Sequence, residues 1–253
     1  LVARLIERRN EYDIFVKDHL NKGGQERTRK FKSIWDSKEY NNQAGTQEVK
    51  ALLQADVMSF PKPRALLEDI CRMGLGDSDL VVDFFAGSST TAHALLRINA
   101  EDGGSRKFVM IQLPEVCDEK FPAYKAGYKT IAEISKERIR RAGKKILEGE
   151  CNENWNKDIG FRVLKIDTSN MAEVYYIPDG VKQNDLLFAV DNIKPDRKPE
   201  DLLFQVLLDW GVDLTLPIAR KTVQDKTVFF VDGNALVACF DTGITEDLVK
   251  ELE

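Results

Sequence analysis

Residues 80–96 read LVVDFFAGSSTTAHALL, and this stretch decides the fold. An apolar run ends at Asp83, a turn with several hydroxyl side chains follows around Gly87, and apolar residues then recur at helical spacing. This order predicts a buried strand, a tight turn and a helix. Because backbone N–H groups gather at the start of such a helix, the turn favours ligands that carry negative charge or accept hydrogen bonds. We therefore expect a cofactor site at this turn.

The neighbouring segments predict a parallel α/β unit around this stretch. Residues 107–113 form a second apolar run, predicted to be a buried strand, and a strand, a helix and a strand joined by short loops make a right-handed parallel unit. Further helices are predicted over residues 46–53, 63–74 and 130–147. Thr46 is the expected cap of the first of them. Residues 129–145 contain seven Lys and Arg, a basic helix face that either is solvated or faces phosphate.

Composition is that of a globular protein of 253 residues, 43% of them apolar. No run of eighteen apolar residues and no signal-peptide pattern occurs, so we expect a cytoplasmic protein without membrane association. The first residue is not Met, which suggests that the sequence begins inside a longer chain. The four cysteines are scattered and form no metal-ligand pair, so no metal site is expected.

Charge is distributed unevenly along the chain. Residues 1–149 hold 26 Lys and Arg against 22 Asp and Glu, a net charge of +4, whereas residues 150–253 hold 11 against 20, a net charge of −9. Nucleic acid would be attracted by the first part and repelled by the second.

The two ends of the chain have weaker patterns. Beyond residue 150 the sequence predicts a small α+β module with a strand over residues 160–166, a helix over 199–210, a β-hairpin over 226–240 and a capped helix over 245–252. At the other end it predicts the end of a helix over residues 1–9, a strand over 13–16 and a basic loop over 22–32. This loop either is solvated or contacts a phosphate backbone.

The residues of the central turn discriminate between cofactors. No lysine lies between Asp83 and Arg97, which argues against a phosphate-binding P-loop, and one glycine instead of three argues against a dinucleotide fingerprint. A turn rich in Ser and Thr suits a ligand with an amino-acid head and a nucleoside tail, such as S-adenosylmethionine. Gln112 follows the second strand about twenty-five residues after Gly87, where nucleoside-binding proteins place a side chain that holds the ribose. The alternative for Gln112 is an exposed strand end.

Residues 83–94, DFFAGSSTTAHA, closely resemble the D-F-F-A-G-S-G-T-T-A-H-A cofactor motif of the modification subunits of type III restriction-modification systems. These subunits are β-class adenine-N6 DNA methyltransferases. The resemblance continues through residues 60–63, 106–108, 112–115, 128–132 and 140–141, and more weakly through 214–217 and 235–239.

The resemblance implies an α/β fold, with an S-adenosylmethionine-dependent methyltransferase (Rossmann-like) sheet followed by a small α+β C-terminal domain. Residues 1–40 would end an upstream target-recognition region, 41–149 would bind the cofactor, and 150–253 would form the C-terminal domain. The cofactor-binding residues that it implies are Phe60, Lys62, Pro63, Asp83, Phe85, Gly87, Ser88, Ser89, Thr90, Thr91 and Gln112. Of these, Phe85, Gly87 and Ser88 would line the methionine and ribose side, and Gln112 would meet the ribose.

In that family the catalytic D-P-P-Y motif lies upstream of the cofactor motif. This chain has no Asp-Pro-Pro-Tyr and no Pro-Pro, so no catalytic residue is assigned and the chain alone is expected to be inactive. The implied partners are double-stranded DNA, a second modification subunit and a restriction subunit.

Ser89 stands where the family motif has its second glycine. If this position has a positive φ, a side chain costs about 1 kcal/mol and would weaken cofactor binding roughly tenfold. The alternative function is therefore a degenerate, non-catalytic assembly module of a restriction-modification complex.

Overall fold

The computed structural model describes residues 33–172 and 192–252 in full and, before residue 33, the backbone of four short strands. Strand β1 (Val2–Ile6) pairs antiparallel with β2 (Glu11–Phe15), and β3 (Asn21–Lys22) pairs with β4 (Gln25–Glu26). The helix end predicted over residues 1–9 is wrong for Val2–Ile6, because this segment pairs with β2 across its whole length. The strand predicted over residues 13–16 is confirmed for residues 13–15, and it begins two residues earlier, at Glu11. Most of the predicted basic loop lies outside the described residues.

The chain divides into two compact units, Leu1–Gly160 and Phe161–Glu253. From residue 33, the first unit contains α1 (Asn42–Leu53), α2 (Arg64–Gly74), β5 (Leu80–Asp83), α3 (Thr90–Asp102), β6 (Lys107–Met110), α4 (Pro122–Lys125) and α5 (Ile131–Leu147). Strands β5 and β6 are parallel and in register from Leu80 opposite Lys107 to Asp83 opposite Met110. The strand, helix and parallel strand predicted from residues 80–113 are thus confirmed.

Local capping sets where the helices begin. The side chain of Asn41 accepts a hydrogen bond of 2.8 Å from the Ala44 N–H, and α1 begins at Asn42. Thr46, the predicted cap, is wrong because it lies inside the helix and donates its hydroxyl to the Asn42 carbonyl. Helix α5 begins with a reciprocal capping box between Thr130 and Glu133, which satisfies N–H groups at both positions.

Within the described residues, the two parallel strands are covered on one face. Val81 and Phe108 pack against Cys71, Leu95 and Ile98 of α2 and α3. The opposite face leaves Leu80, Val82 and Val109 exposed by 57%, 43% and 43%. The prediction that both strands are buried is therefore wrong, because in the described residues β5 and β6 pair only with each other and alternate between a covered and an open face.

Residues 150–160 fold back onto the first unit. The Asn152 N–H donates to the Ala100 carbonyl at 2.7 Å, and Trp155 is buried. A Cβ on Gly143 would lie 2.8 Å from the Cβ of Ile159, so only glycine allows this close approach to α5. The compact unit therefore extends to Gly160, eleven residues beyond the boundary expected from the sequence. The functional assignment of the three segments remains a prediction.

The second unit contains an antiparallel three-stranded sheet and two helices in its described part. These are α6 (Pro199–Asp209), β7 (Ile218–Val223), β8 (Lys226–Val231), β9 (Leu236–Cys239) and α7 (Glu246–Leu252). The predicted hairpin is confirmed, and Asp232 and Gly233 both take the positive φ that its tight turn requires. Leu203 and Leu207 of α6 pack on Phe229 and Val231. The hydroxyl of Thr245 accepts from the Leu248 N–H and caps α7 as predicted.

The strand predicted over residues 160–166 is wrong, since this segment pairs with none of the described strands. Arg162 instead donates its guanidinium to the carbonyls of Leu214 and Leu216. In the described part of the chain, no helix is both long and apolar enough to cross a membrane. No group of three or more metal-ligating side chains occurs there either.

Candidate functional site

The turn between β5 and α3 is fixed by Asp83 and by two left-handed residues. The Asp83 carboxylate accepts hydrogen bonds from the Phe85 N–H at 3.1 Å and from the Thr91 hydroxyl at 2.7 Å. Gly87 has a φ of +53° and Ser89 a φ of +57°. The condition stated for Ser89, a positive φ, is therefore confirmed. These torsions reverse the chain within four residues and start the helix at Thr90.

The hydroxyl groups of the turn face the protein interior. One guanidinium nitrogen of Arg138, on α5, donates 2.7 Å hydrogen bonds to the hydroxyls of both Ser88 and Thr90. The hydroxyl of Ser89 pairs with that of Ser135, also on α5, and Ser89 is fully buried. The hydroxyls are thus held by protein groups. The Ser89 N–H is engaged as well, since it donates to the Ala86 carbonyl at 2.6 Å.

The N-terminus of α3 has no side-chain cap, although Thr90 and Thr91 are buried. The first N–H groups of a helix have no partner within the helix, and the helix dipole is positive there. This end therefore suits a ligand with a carboxylate or another hydrogen-bond acceptor. Phe84 and Phe85, on the approach to the turn, are exposed by 66% and 89% and offer flat apolar surface.

Residues 60–63 lie against this turn. The Thr90 hydroxyl donates to the Lys62 carbonyl at 3.2 Å, and α1 crosses the segment so closely that a Cβ on Gly45 would lie 2.3 Å from the Pro61 oxygen. Pro63 is buried where α2 begins, whereas Lys62 and Phe60 are exposed. The structure thus brings the backbone of Lys62 to the turn, with Phe60 and Pro63 on the same short segment.

Gln112 also reaches the turn, from the end of the second strand. Its side-chain oxygen accepts a 2.7 Å hydrogen bond from the Gly87 N–H, and its amide nitrogen donates to the Leu113 carbonyl. Gln112 is therefore more than an exposed strand end, because it holds the backbone of the turn. Its contact with a ribose stays a prediction.

A buried ionic network supports the turn from behind. Arg138 is 0% exposed, and its second guanidinium nitrogen donates to Glu48 at 3.2 Å, which also pairs with Arg64. Burial lowers the pKa of Arg138 to about 10, while Glu48 acts in the opposite direction. Burial, with the positive charge of Arg138 adding to it, lowers the pKa of His93 well below its ordinary value, so this imidazole is neutral.

Sequence reasoning missed Arg138 and Ser135. Arg138 was counted in the basic face of α5, and this interpretation is wrong for Arg138 because the residue is buried. The signal was its spacing, since Arg138 lies four residues after Ile134 and four before Ala142, both buried on the same helix face. Lys144, by contrast, is exposed as predicted.

Comparison with known proteins identifies relatives of this chain. Residues 6–144 match the family model of the DNA methylases. The chain is 35% identical over 210 residues to the Mod subunit of the type III restriction-modification enzyme EcoPI of Escherichia phage P1. The matched region covers 83% of this chain and 32% of the relative. It is 41% identical over 136 residues to the StyLTI Mod subunit of Salmonella typhimurium, covering 54% of this chain and 20% of the relative.

A third relative is the type II methyltransferase M.KpnI of Klebsiella pneumoniae, 31% identical over 110 residues, or 44% of this chain and 26% of the relative. The chain thus spans about a third or less of the length of these curated relatives. The resemblance to type III modification subunits, predicted from residues 83–94, is confirmed.

Proposed function

We propose that this chain, which belongs to the DNA methylase family, is the cofactor-binding and C-terminal part of a site-specific adenine-N6 DNA methyltransferase. The longer protein would be the modification subunit of a restriction-modification system. The observation that carries the proposal is the uncapped N-terminus of α3 behind a turn whose hydroxyls are all engaged by the protein. The cofactor proposed for this site is S-adenosylmethionine.

The residues of the site fit this cofactor. The unpaired N–H groups at the start of α3 would hold the methionine carboxylate, because they combine hydrogen-bond donors with the positive end of the helix dipole. Exposed Phe60 and Phe85 provide apolar surface for the adenine, and Gln112 stands beside the turn for the ribose. When bound, S-adenosylmethionine supplies an activated methyl group on its sulfonium.

The open face of the parallel sheet supports the proposal that a catalytic half packs there. Parallel sheets are normally covered on both faces, and an isolated pair of strands is marginally stable. Here Leu80, Val82 and Val109 are exposed beside a free strand edge among the described strands. A Rossmann-like methyltransferase sheet completed by further strands would cover this apolar surface. The D-P-P-Y motif on that half would hold a flipped adenine.

DNA, a second modification subunit and a restriction subunit are the partners proposed for the complete protein. The similarity to the EcoPI and StyLTI Mod subunits, each named as part of a restriction-modification enzyme, supports these partners. The C-terminal α+β part, residues 150–253, carries a net charge of −9 and is therefore proposed to contact protein rather than DNA.

The alternative, a degenerate assembly module, rests on Ser89 and on the net charge of −9 of residues 150–253. The side chain of Ser89 is turned toward Ser135 and is fully buried, which favours a turn that remains open to the cofactor. The two functions differ in a methyl-transfer assay of the complete protein with methyl-labelled S-adenosylmethionine and unmethylated double-stranded DNA. Labelled N6-methyladenine supports the methyltransferase. Label only in N4-methylcytosine contradicts the adenine assignment, and cofactor binding without any transfer favours the assembly module.

A further inference from the structure

We infer that Arg138 is a positioning residue for the cofactor turn, holding Ser88 and Thr90 on either side of Ser89 and so fixing where α3 begins. The identity of the ligand rests on the proposed function, whereas the contact between α5 and the turn does not. Ser88 and Thr90 flank Ser89, the residue at which the chain turns into α3. One guanidinium nitrogen of Arg138 binds the hydroxyls on both sides of this point.

The geometry of the guanidinium suits this role. Its donors are fixed in one plane, so a contact on one edge orients the other edge. Glu48 accepts from the second nitrogen at 3.2 Å, which leaves the first nitrogen directed at Ser88 and Thr90. A lysine at this position would carry the charge on a single rotatable group and could not fix the same three acceptors.

Stability alone does not explain a buried arginine at this position. Replacing a complete buried ion pair by apolar residues of similar volume is often neutral or stabilising, because burying the charges is costly. Arg138 is 0% exposed, and its Nε has no hydrogen-bond partner in the described part of the chain. The cost of its burial is thus only partly offset, and the contacts that justify it are those to the turn.

Ser135 gives the helix a second point of contact. It lies three residues before Arg138 on the same face of α5, and its hydroxyl pairs with Ser89. One face of α5 therefore binds three consecutive residues of the turn, Ser88, Ser89 and Thr90, through their side chains.

The experiment compares Arg138→Met with Arg141→Met in the complete chain. Arg141 is a matched control on the same helix, because its partners are Glu137 and the Leu52 carbonyl and, among the described residues, it makes no hydrogen bond to the turn. Three quantities are measured: the melting temperature, the dissociation constant for S-adenosylmethionine by calorimetry, and amide hydrogen exchange of residues 87–91 without ligand. Arg138→Lys is included as the conservative variant.

For Arg138→Met we expect a lower melting temperature, because Glu48, Ser88 and Thr90 each lose a donor. We also expect faster exchange at residues 87–91 and binding weakened about tenfold or more. Arg138→Lys should recover part of the affinity, and Arg141→Met should leave exchange and binding unchanged. Unchanged exchange and affinity in Arg138→Met, or an equal loss in Arg141→Met, would overturn the inference.

A second variant decides the matter if Arg138→Met does not fold. Ser88→Ala removes one acceptor of Arg138 at a small side chain, and it should accelerate exchange of the same amides. Exchange as slow as in the wild type would count against positioning. If the wild type fails to bind S-adenosylmethionine, the proposed function fails, while exchange of the ligand-free turn still decides the role of Arg138.

Discussion

Ser89 and Ser135 should be energetically coupled, and a double-mutant cycle measures the coupling. Ser89 has left-handed torsions, φ +57° and ψ +46°, which glycine adopts without strain. Its buried hydroxyl pairs with that of Ser135 on α5. We infer that this pairing compensates for the serine at a position where the motif of the resembling family has glycine. The variants are Ser89→Gly, Ser135→Ala and both together.

In Ser89→Gly alone, the stabilising and destabilising contributions to the free energy of unfolding nearly cancel. Left-handed torsions cost a non-glycine residue roughly 1–2 kcal/mol. Ser89→Gly removes this strain, but it adds about 0.5–1 kcal/mol of backbone entropy to the unfolded chain and loses a hydrogen bond that contributes about 0.5–1.5 kcal/mol. The free energy of unfolding should therefore change by less than about 1 kcal/mol. In the Ser135→Ala background the hydrogen bond is already lost, so the glycine should stabilise by about 1 kcal/mol more than in the wild type.

Urea unfolding followed by tryptophan fluorescence measures these free energies. Trp155 is buried in the first unit, whereas Trp210 belongs to the second and is 70% exposed. Trp210→Phe in all variants of the cycle removes the signal of the second unit. A coupling below about 0.3 kcal/mol, within the scatter of independent sites, would refute the compensation.

Three further predictions concern the turn, the sheet face and the buried imidazole. Gln112→Met removes the acceptor of the Gly87 N–H, so calorimetry should show S-adenosylmethionine binding weakened by about 1 kcal/mol, or roughly fivefold, and an unchanged affinity would contradict this role. Val82→Lys lies on the exposed sheet face, and it should reduce self-association in sedimentation velocity while changing the free energy of unfolding by less than about 0.5 kcal/mol. Burial lowers the pKa of His93 in the folded state, so the unfolded chain binds more protons, and the free energy of unfolding should fall by about 1.4 kcal/mol per pH unit below pH 6.5. His93→Asn should lose this slope in urea titrations at pH 5–7, and an equal slope in both proteins would contradict it.

The parts of the fold that the sequence predicted correctly have local signals. The strand, turn and helix at residues 80–96 and the hairpin at 226–240 are marked by apolar periodicity and by glycine in the turns. The strand predicted over 160–166 had the same alternation, but a strand also needs a neighbour with free backbone groups. Pairing depends on tertiary structure, so the pattern alone could not decide.

In the candidate site, too, some residues could be predicted from the sequence and one could not. Residues 60–63 and Gln112 were placed at the turn from motif and spacing, and the structure brings both to it. The burial of Arg138 was not predicted, because a charged residue among six other cations reads as part of a solvated face. Arg138 lies on the apolar face of α5, and it is buried because α5 packs against the turn.

The direct test of the account is a calorimetric titration of S-adenosylmethionine into the protein, combined with hydrogen exchange of residues 83–91. We predict one saturable site per chain, and slower exchange confined to the turn and the start of α3 when the cofactor is bound. Ser89→Gly should alter the dissociation constant by less than roughly threefold, about 0.6 kcal/mol, because its side chain faces Ser135. The absence of binding in both proteins, or binding that leaves exchange of the turn unchanged, would contradict the account.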